Sequence, residues 1–78
     1  MSVTVLYFAS LRDTAGVASE VVDTPTSLPE LYAALRLRHG FALKPEQLRV
    51  AVDGAFCAWN ASIGDDAEIA FIPPVSGG

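Results

Sequence analysis

The residues of this chain best suited to chemistry stand at its end, Pro73-Pro74-Val75-Ser76-Gly77-Gly78. As the last residue, Gly78 is expected to carry a free α-carboxylate behind two positions that have no side chains. Such an end enters a slot too narrow for other residues and takes backbone angles they cannot. Pro73 and Pro74 fix φ and donate no backbone hydrogen bond, so they stop the strand before them and launch the tail stiff and extended. Fully stretched, Val75 to Gly78 spans roughly 13 Å at about 3.3 Å per residue, a depth that suits an active site inside a partner. A terminal carboxylate with a pKa of about 3.5 is anionic at neutral pH and resists nucleophilic attack, so it needs a leaving group before it can accept a new atom. A frayed end is the plainer reading of a Gly-Gly pair alone. The Pro-Pro brace argues against it.

Other residue types offer less. Ser76 is a small polar residue that could hydrogen-bond in a partner's channel or simply fit there. Arg12 could pair with a partner's acid, although exposed ion pairs contribute little and a solvated loop arginine is the better reading of the residue alone. Cys57 sits in a strand-like stretch and reads as a small core residue rather than a thiol relay. His39 has no Ser, Cys or metal-spaced ligand near it in sequence and suits the negative end of a helix. Trp59 and Tyr32 read as packing groups. The carboxylates Glu46, Asp65, Asp66 and Glu68 are few and lie in turns, which disfavours a paired acid/base site. The chain carries no catalytic machinery of its own.

The composition narrows the class. Seventy-eight residues make one domain, whose small core leaves modest net stability. A single cysteine forms no internal disulfide, and no Cys/His cluster has metal spacing, so neither a disulfide scaffold nor a structural metal is expected. The apolar share of 51% is high for so small a protein, which implies that a partner covers part of its surface. A net charge of −4 without clustered Lys/Arg disfavours nucleic acid. The start Met1-Ser2-Val3 lacks a basic leader, and no apolar run nears the ~20 residues that cross a bilayer. No membrane contact is expected, and the cytoplasm is the expected location.

The elements that position the tail follow from periodicity. Val3 to Phe8 is β-branched and aromatic, and Val17 to Val22 again suits a strand, with a loop around Arg12-Asp13-Thr14-Ala15-Gly16 between them. Ser27-Leu28-Pro29-Glu30 has capping-box spacing with Pro in the first turn, so a helix starts there. Leu28, Leu31, Tyr32 and Leu35 then form one apolar stripe, and Gly40 closes the helix after Arg36, Arg38 and His39. Phe41 to Gln47 is a connection. Leu48 to Val52, the turn Asp53-Gly54, and Ala55 to Cys57 make a second hairpin. Ala58 to Asp66 is a loop, and Glu68 to Ile72 is a last strand running into the prolines.

These elements predict an α+β fold, a mixed sheet of four to five strands around one main helix with the last strand beside the first. That is the β-grasp, ubiquitin-like arrangement, over residues 1–72, with an extended tail over 73–78. A helix covers one sheet face and leaves the other open. If Val3 and Val5 point inward, Leu6 and Phe8 point outward; Ile69 and Phe71 then suit the core, leaving Ala70 and Ile72 outward. An apolar patch at the root of the tail is expected to mark an interaction site.

The ending Ala70-Phe71-Ile72-Pro73-Pro74-Val75-Ser76-Gly77-Gly78, with Leu6-Tyr7-Phe8-Ala9-Ser10-Leu11-Arg12-Asp13 and Ala51-Val52-Asp53-Gly54, resembles the small, ubiquitin-like sulfur-carrier subunits of molybdopterin synthase. The loop before the last strand departs from that family's usual Gly-Asp-Glu by reading Asp66-Ala67-Glu68. The resemblance implies that an adenylating enzyme uses ATP to join Gly78 to AMP, and that a sulfur donor then forms a thiocarboxylate. It implies sulfur delivery to a pyranopterin precursor inside the large subunit in molybdenum cofactor biosynthesis, with no cofactor bound permanently. Gly78 and Gly77 are the implied reactive end, and Leu6, Phe8, Arg12, Ile72, Pro73, Pro74, Val75 and Ser76 the implied partner contacts. A protein modifier joined to lysines through Gly78, the sulfur carrier for thiazole synthesis, and a purely structural interaction domain are the rival readings. The Pro-Pro-Val brace speaks against the thiazole carrier.

Overall fold

The computed structural model describes residues 1–74, and alternation sets the faces of its first strand, β1 (Ser2–Tyr7). Val3, Val5 and Tyr7 are buried on one face, while Ser2, Thr4 and Leu6 are only half-buried on the other. A helix, α1 (Ala9–Ala15), follows where the sequence predicts a loop around Arg12 to Gly16. Its two turns have no side-chain N-cap, and only Leu11 is buried. A helix this short is marginal alone, so packing of Leu11 holds it and no periodicity announces it. Gly16, at φ 79, ends α1 and donates its N–H to the Arg12 carbonyl at 2.9 Å, a left-handed cap that a Cβ would strain.

Strand β2 (Ser19–Asp23) pairs antiparallel with β1. It starts two residues later than the expected Val17, with α1 inside the connection. Helix α2 (Leu28–His39) begins as its capping box predicts, the Ser27 Oγ accepting the Glu30 N–H at 3.3 Å, and ends at Gly40. Leu28, Leu31, Tyr32 and Leu35 are all buried, at helical spacing on one side. A 3₁₀ turn (Pro45–Gln47) leads to β3 (Arg49–Val52), and β4 (Ala55–Cys57) returns antiparallel. Between them Asp53 and Gly54 both have positive φ, 52 and 85, the backbone of a type I′ turn. Asp53 also accepts the Glu68 N–H on Oδ1 at 2.9 Å and donates its own N–H to the Glu68 carbonyl at 2.8 Å. The hairpin is thereby tied to the start of β5 (Glu68–Ile72).

The sheet order is β2-β1-β5-β3-β4. β5 is the central strand, parallel to β1 and antiparallel to β3. Its two neighbours pair with its backbone on both edges, so the strand that carries the tail is held from both sides. Helix α2 covers one face and builds the core there. Phe71 sits at its centre, with ring centroids 5.2 Å from Tyr32 and 5.7 Å from Trp59, and Tyr32 lies 6.0 Å from Phe41. The Tyr32 hydroxyl donates to the Leu43 carbonyl at 2.8 Å, so this aromatic cluster buries no unpaired donor. The fold is the β-grasp.

Candidate functional site

The tail leaves the sheet at a defined place. Phe71 pairs with Tyr7 and Ile72 with Arg49, so β5 ends level with the exit of β1 and the entry of β3. Pro73 is half-buried and Pro74 exposed, and neither carries the N–H that would extend the ladder. The expected reactive end, Gly77 and Gly78, and the expected contacts Val75 and Ser76 lie outside the described residues.

Around that exit the open face is apolar. Register places Leu6 opposite Ala70, Ala70 opposite Ala51, and Ala51 opposite Phe56, which forms one row across four strands. Ile72 lies half-buried one step nearer the tail, and Phe8, 44% exposed, follows β1 there. Ala70 does face outward as expected but is only 8% exposed, because a methyl group between Leu6 and Ala51 is overshadowed. The patch is therefore made by Leu6, Phe8, Ile72 and Phe56. Arg12 is exposed in the last turn of α1, beyond the same end of the sheet.

Phe56, 60% exposed, and Arg49 are members that alternation from Val3 and Val5 did not identify. The signal was available: a two-residue Asp-Gly turn fixes the pairing Val52 with Ala55 and Ala51 with Phe56, and the buried Val50 sends Arg49 and Ala51 to the open face. Arg49 stacks on Phe56, its guanidinium carbon 4.4 Å from the ring centre.

The polar network of the molecule lies on the covered face. One oxygen of Glu20 accepts hydrogen bonds from the Tyr7 hydroxyl and from His39 Nε2, the latter at 2.7 Å, and Arg38 approaches the other oxygen at 3.6 Å. Burial alone would push the Glu20 carboxyl up, but the two hydrogen bonds and the charges of His39 and Arg38 outweigh it and hold the group below the usual carboxylate range. Burial, then the hydrogen bond and negative charge of Glu20, raise the Tyr7 phenol far above its ordinary value, so it stays a donor. Burial likewise raises Tyr32. These groups bind elements together; of them Arg38 also lines the groove between β2 and α2, and Tyr32 one beside Phe41 and Pro45. His39 does end its helix, as its position suggests, but its partner is Glu20.

Cys57 is half-buried and packs against the core. Among the described residues no three His, Cys, Asp or Glu side chains converge as a metal ion needs, and no helix is long and apolar enough to cross a membrane. A groove of about 590 Å³ runs between β2 and α2 past Val22, Leu31 and Leu35, with Asp23, Glu30 and Arg38 also in its lining, far from the tail exit. The exit, with its apolar collar, is the better candidate.

Comparison with known proteins agrees with this geometry. The model of the ThiS family matches residues 5–78. The molybdopterin synthase sulfur carrier subunit of Escherichia coli K12 is 38% identical, over 95% of this chain and 96% of its own. SAMP1 from Haloferax volcanii superposes with a TM-score of 0.81 at 26% identity, all of both chains being covered. A chain in the complex of subunits 1 and 2 of the molybdopterin-converting factor from Helicobacter pylori has the same fold, with a TM-score of 0.71 at 24% identity over all of both chains.

Proposed function

Since the chain belongs to the ThiS family, we propose that it is the sulfur-carrier subunit of a molybdopterin synthase, working through Gly78. The observation that carries this reading is the 38% identity to the Escherichia coli carrier over nearly the whole of both chains. The position of the tail supports it: the central strand runs straight into Pro73-Pro74 beside an apolar collar.

In this reading a Gly78 carboxylate oxygen attacks the α-phosphorus of ATP on an adenylating enzyme and displaces pyrophosphate. The acyl-adenylate gives the carbonyl carbon a good leaving group. A sulfur nucleophile then displaces AMP and leaves a thiocarboxylate, anionic and nucleophilic at neutral pH. Inside the large subunit that sulfur attacks a carbon of the pyranopterin precursor and displaces an oxygen substituent from it. Water then adds to the acyl carbon of the resulting thioester and breaks its C–S bond, which leaves the sulfur on the pterin and restores the carboxylate. ATP is thus a substrate of the partner. The chain contributes its terminus and its docking face, and the partner contributes the groups that move protons. The Helicobacter pylori complex of subunits 1 and 2 motivates a second subunit as the partner, and the apolar patch of Leu6, Phe8 and Ile72 at the tail exit is where we place it.

Intact mass spectrometry tests it. After incubation with the adenylating enzyme, ATP and a sulfur donor, the chain gains the mass difference between one oxygen and one sulfur, and deletion of Gly78 abolishes the gain while circular dichroism stays native. Absence of any gain, under conditions that load the Escherichia coli carrier, overturns the reading. Isopeptide-linked conjugates in place of a mass gain would assign the chain to protein modification.

A further inference from the structure

The open face carries its charges at opposite ends. Asp23 and Glu68 stand on it at the end away from the tail, and Arg49 is the one cation that the described strands place there. Glu68 and Arg49 are separated along the sheet by the length of β5, roughly 13 Å at about 3.3 Å per residue. Arg49 is opposite Ile72, at the tail exit.

Arg49 is held by an aromatic ring rather than by an acid. The guanidinium lies over the exposed Phe56 ring at 4.4 Å, and among the described residues no carboxylate comes within ion-pair distance of it. Stacking holds the group without using its N–H donors, which stay at the guanidinium edge for a planar acceptor. Fewer conformations are then lost when that acceptor arrives. Covering the patch also strips water from the guanidinium, and a desolvated cation without a counter-charge is strongly unfavourable. The acids of this face lie at its far end and cannot supply the charge. Whatever covers the patch must bring one.

We propose that Arg49, stacked on Phe56, receives a carboxylate of the synthase large subunit and so fixes the sense in which that subunit covers the patch. This rests on the reading of the open face as the docking face given above. A subunit docked in the reverse sense sets its acid against Glu68 and Asp23, where like charges repel. The correct sense leaves the tail pointing into the partner.

Titration calorimetry of the full chain against the large subunit from the same organism, at low and at high salt, tests the proposal. Arg49→Glu weakens binding about 30-fold or more. Arg49→Gln weakens it less and flattens the salt dependence, and Arg49→Lys falls between because a point charge lacks the planar fork. Leu6→Asp is the control for the face itself. If Arg49→Glu binds as tightly as the native chain while Leu6→Asp does not bind, Arg49 reads no carboxylate and the docking face stands. If neither substitution matters, the docking face falls too. Equal losses in Arg49→Glu and Arg49→Gln with an unchanged salt slope also overturn the proposal, since they report lost packing rather than charge. Arg49 is exposed, and unchanged melting temperatures show that each variant is folded.

Discussion

His39 Nε2 lies 2.7 Å from Oε1 of Glu20, which fastens the C-terminal end of α2 to the edge strand β2. A carboxylate oxygen only accepts, so Nε2 carries the proton in this contact. Because the folded state holds Glu20 below the usual carboxylate range, the contact stabilises the fold at pH above the carboxyl's unfolded value. The contribution is lost as pH falls through the lower, folded value. Glu20→Gln removes the charge and is expected to cost about 1–2 kcal/mol at neutral pH, a fall in Tm of roughly 5–15 °C. Melting curves of native and variant protein should converge as the pH is taken through that acid range, whereas a constant gap would mean that packing, not charge, is responsible.

Asp53 combines two demands in one residue, a left-handed backbone at φ 52 and a side chain that accepts the Glu68 N–H. Asp53→Ala meets neither, and about 1–2 kcal/mol of stability should be lost. Asp53→Asn keeps the acceptor and the tolerance of positive φ, so urea titration should show it close to native.

Phe71 is fully buried on the central strand between Tyr32 and Trp59. Phe71→Ala should cost about 3–5 kcal/mol, a large part of the roughly 4–12 kcal/mol expected for a domain of this length. Circular dichroism should show a Tm at least about 15 °C lower.

Replacing Pro73 and Pro74 by Gly leaves the sheet and the Gly-Gly end in place and frees the joint between them. Thermal stability should stay nearly native, while affinity for the large subunit should fall about tenfold, as ordering the tail becomes costlier. Unchanged affinity in calorimetry would show that the prolines only terminate β5.

Local chemistry made most of the fold legible. Ser27 and Glu30 marked the start of α2, Asp53-Gly54 fixed the second hairpin, and the alternation of Val3, Val5, Ile69 and Phe71 assigned both sheet faces, with Leu6 and Ile72 on the open one. Helix α1 escaped because two turns anchored by Leu11 alone leave no periodic trace, and Phe8 offers no side-chain cap. The Glu20 network escaped for another reason. Tyr7 and His39 stand 13 and 19 residues from Glu20; the register of β1 on β2 brings Tyr7 to it, and only the packing of α2 on the sheet brings His39. Arg49 was legible in register but not in its stacking, which depends on where the Phe56 ring turns.

Strands β1 and β5 run side by side in the same direction, so a pull applied between Ser2 and Ile72 acts along the strands. The hydrogen bonds between them must then break together in shear, instead of unzipping one after another. A partner that draws the terminus into an active site therefore loads β5 in shear against β1, a geometry in which the body can resist extraction without unravelling.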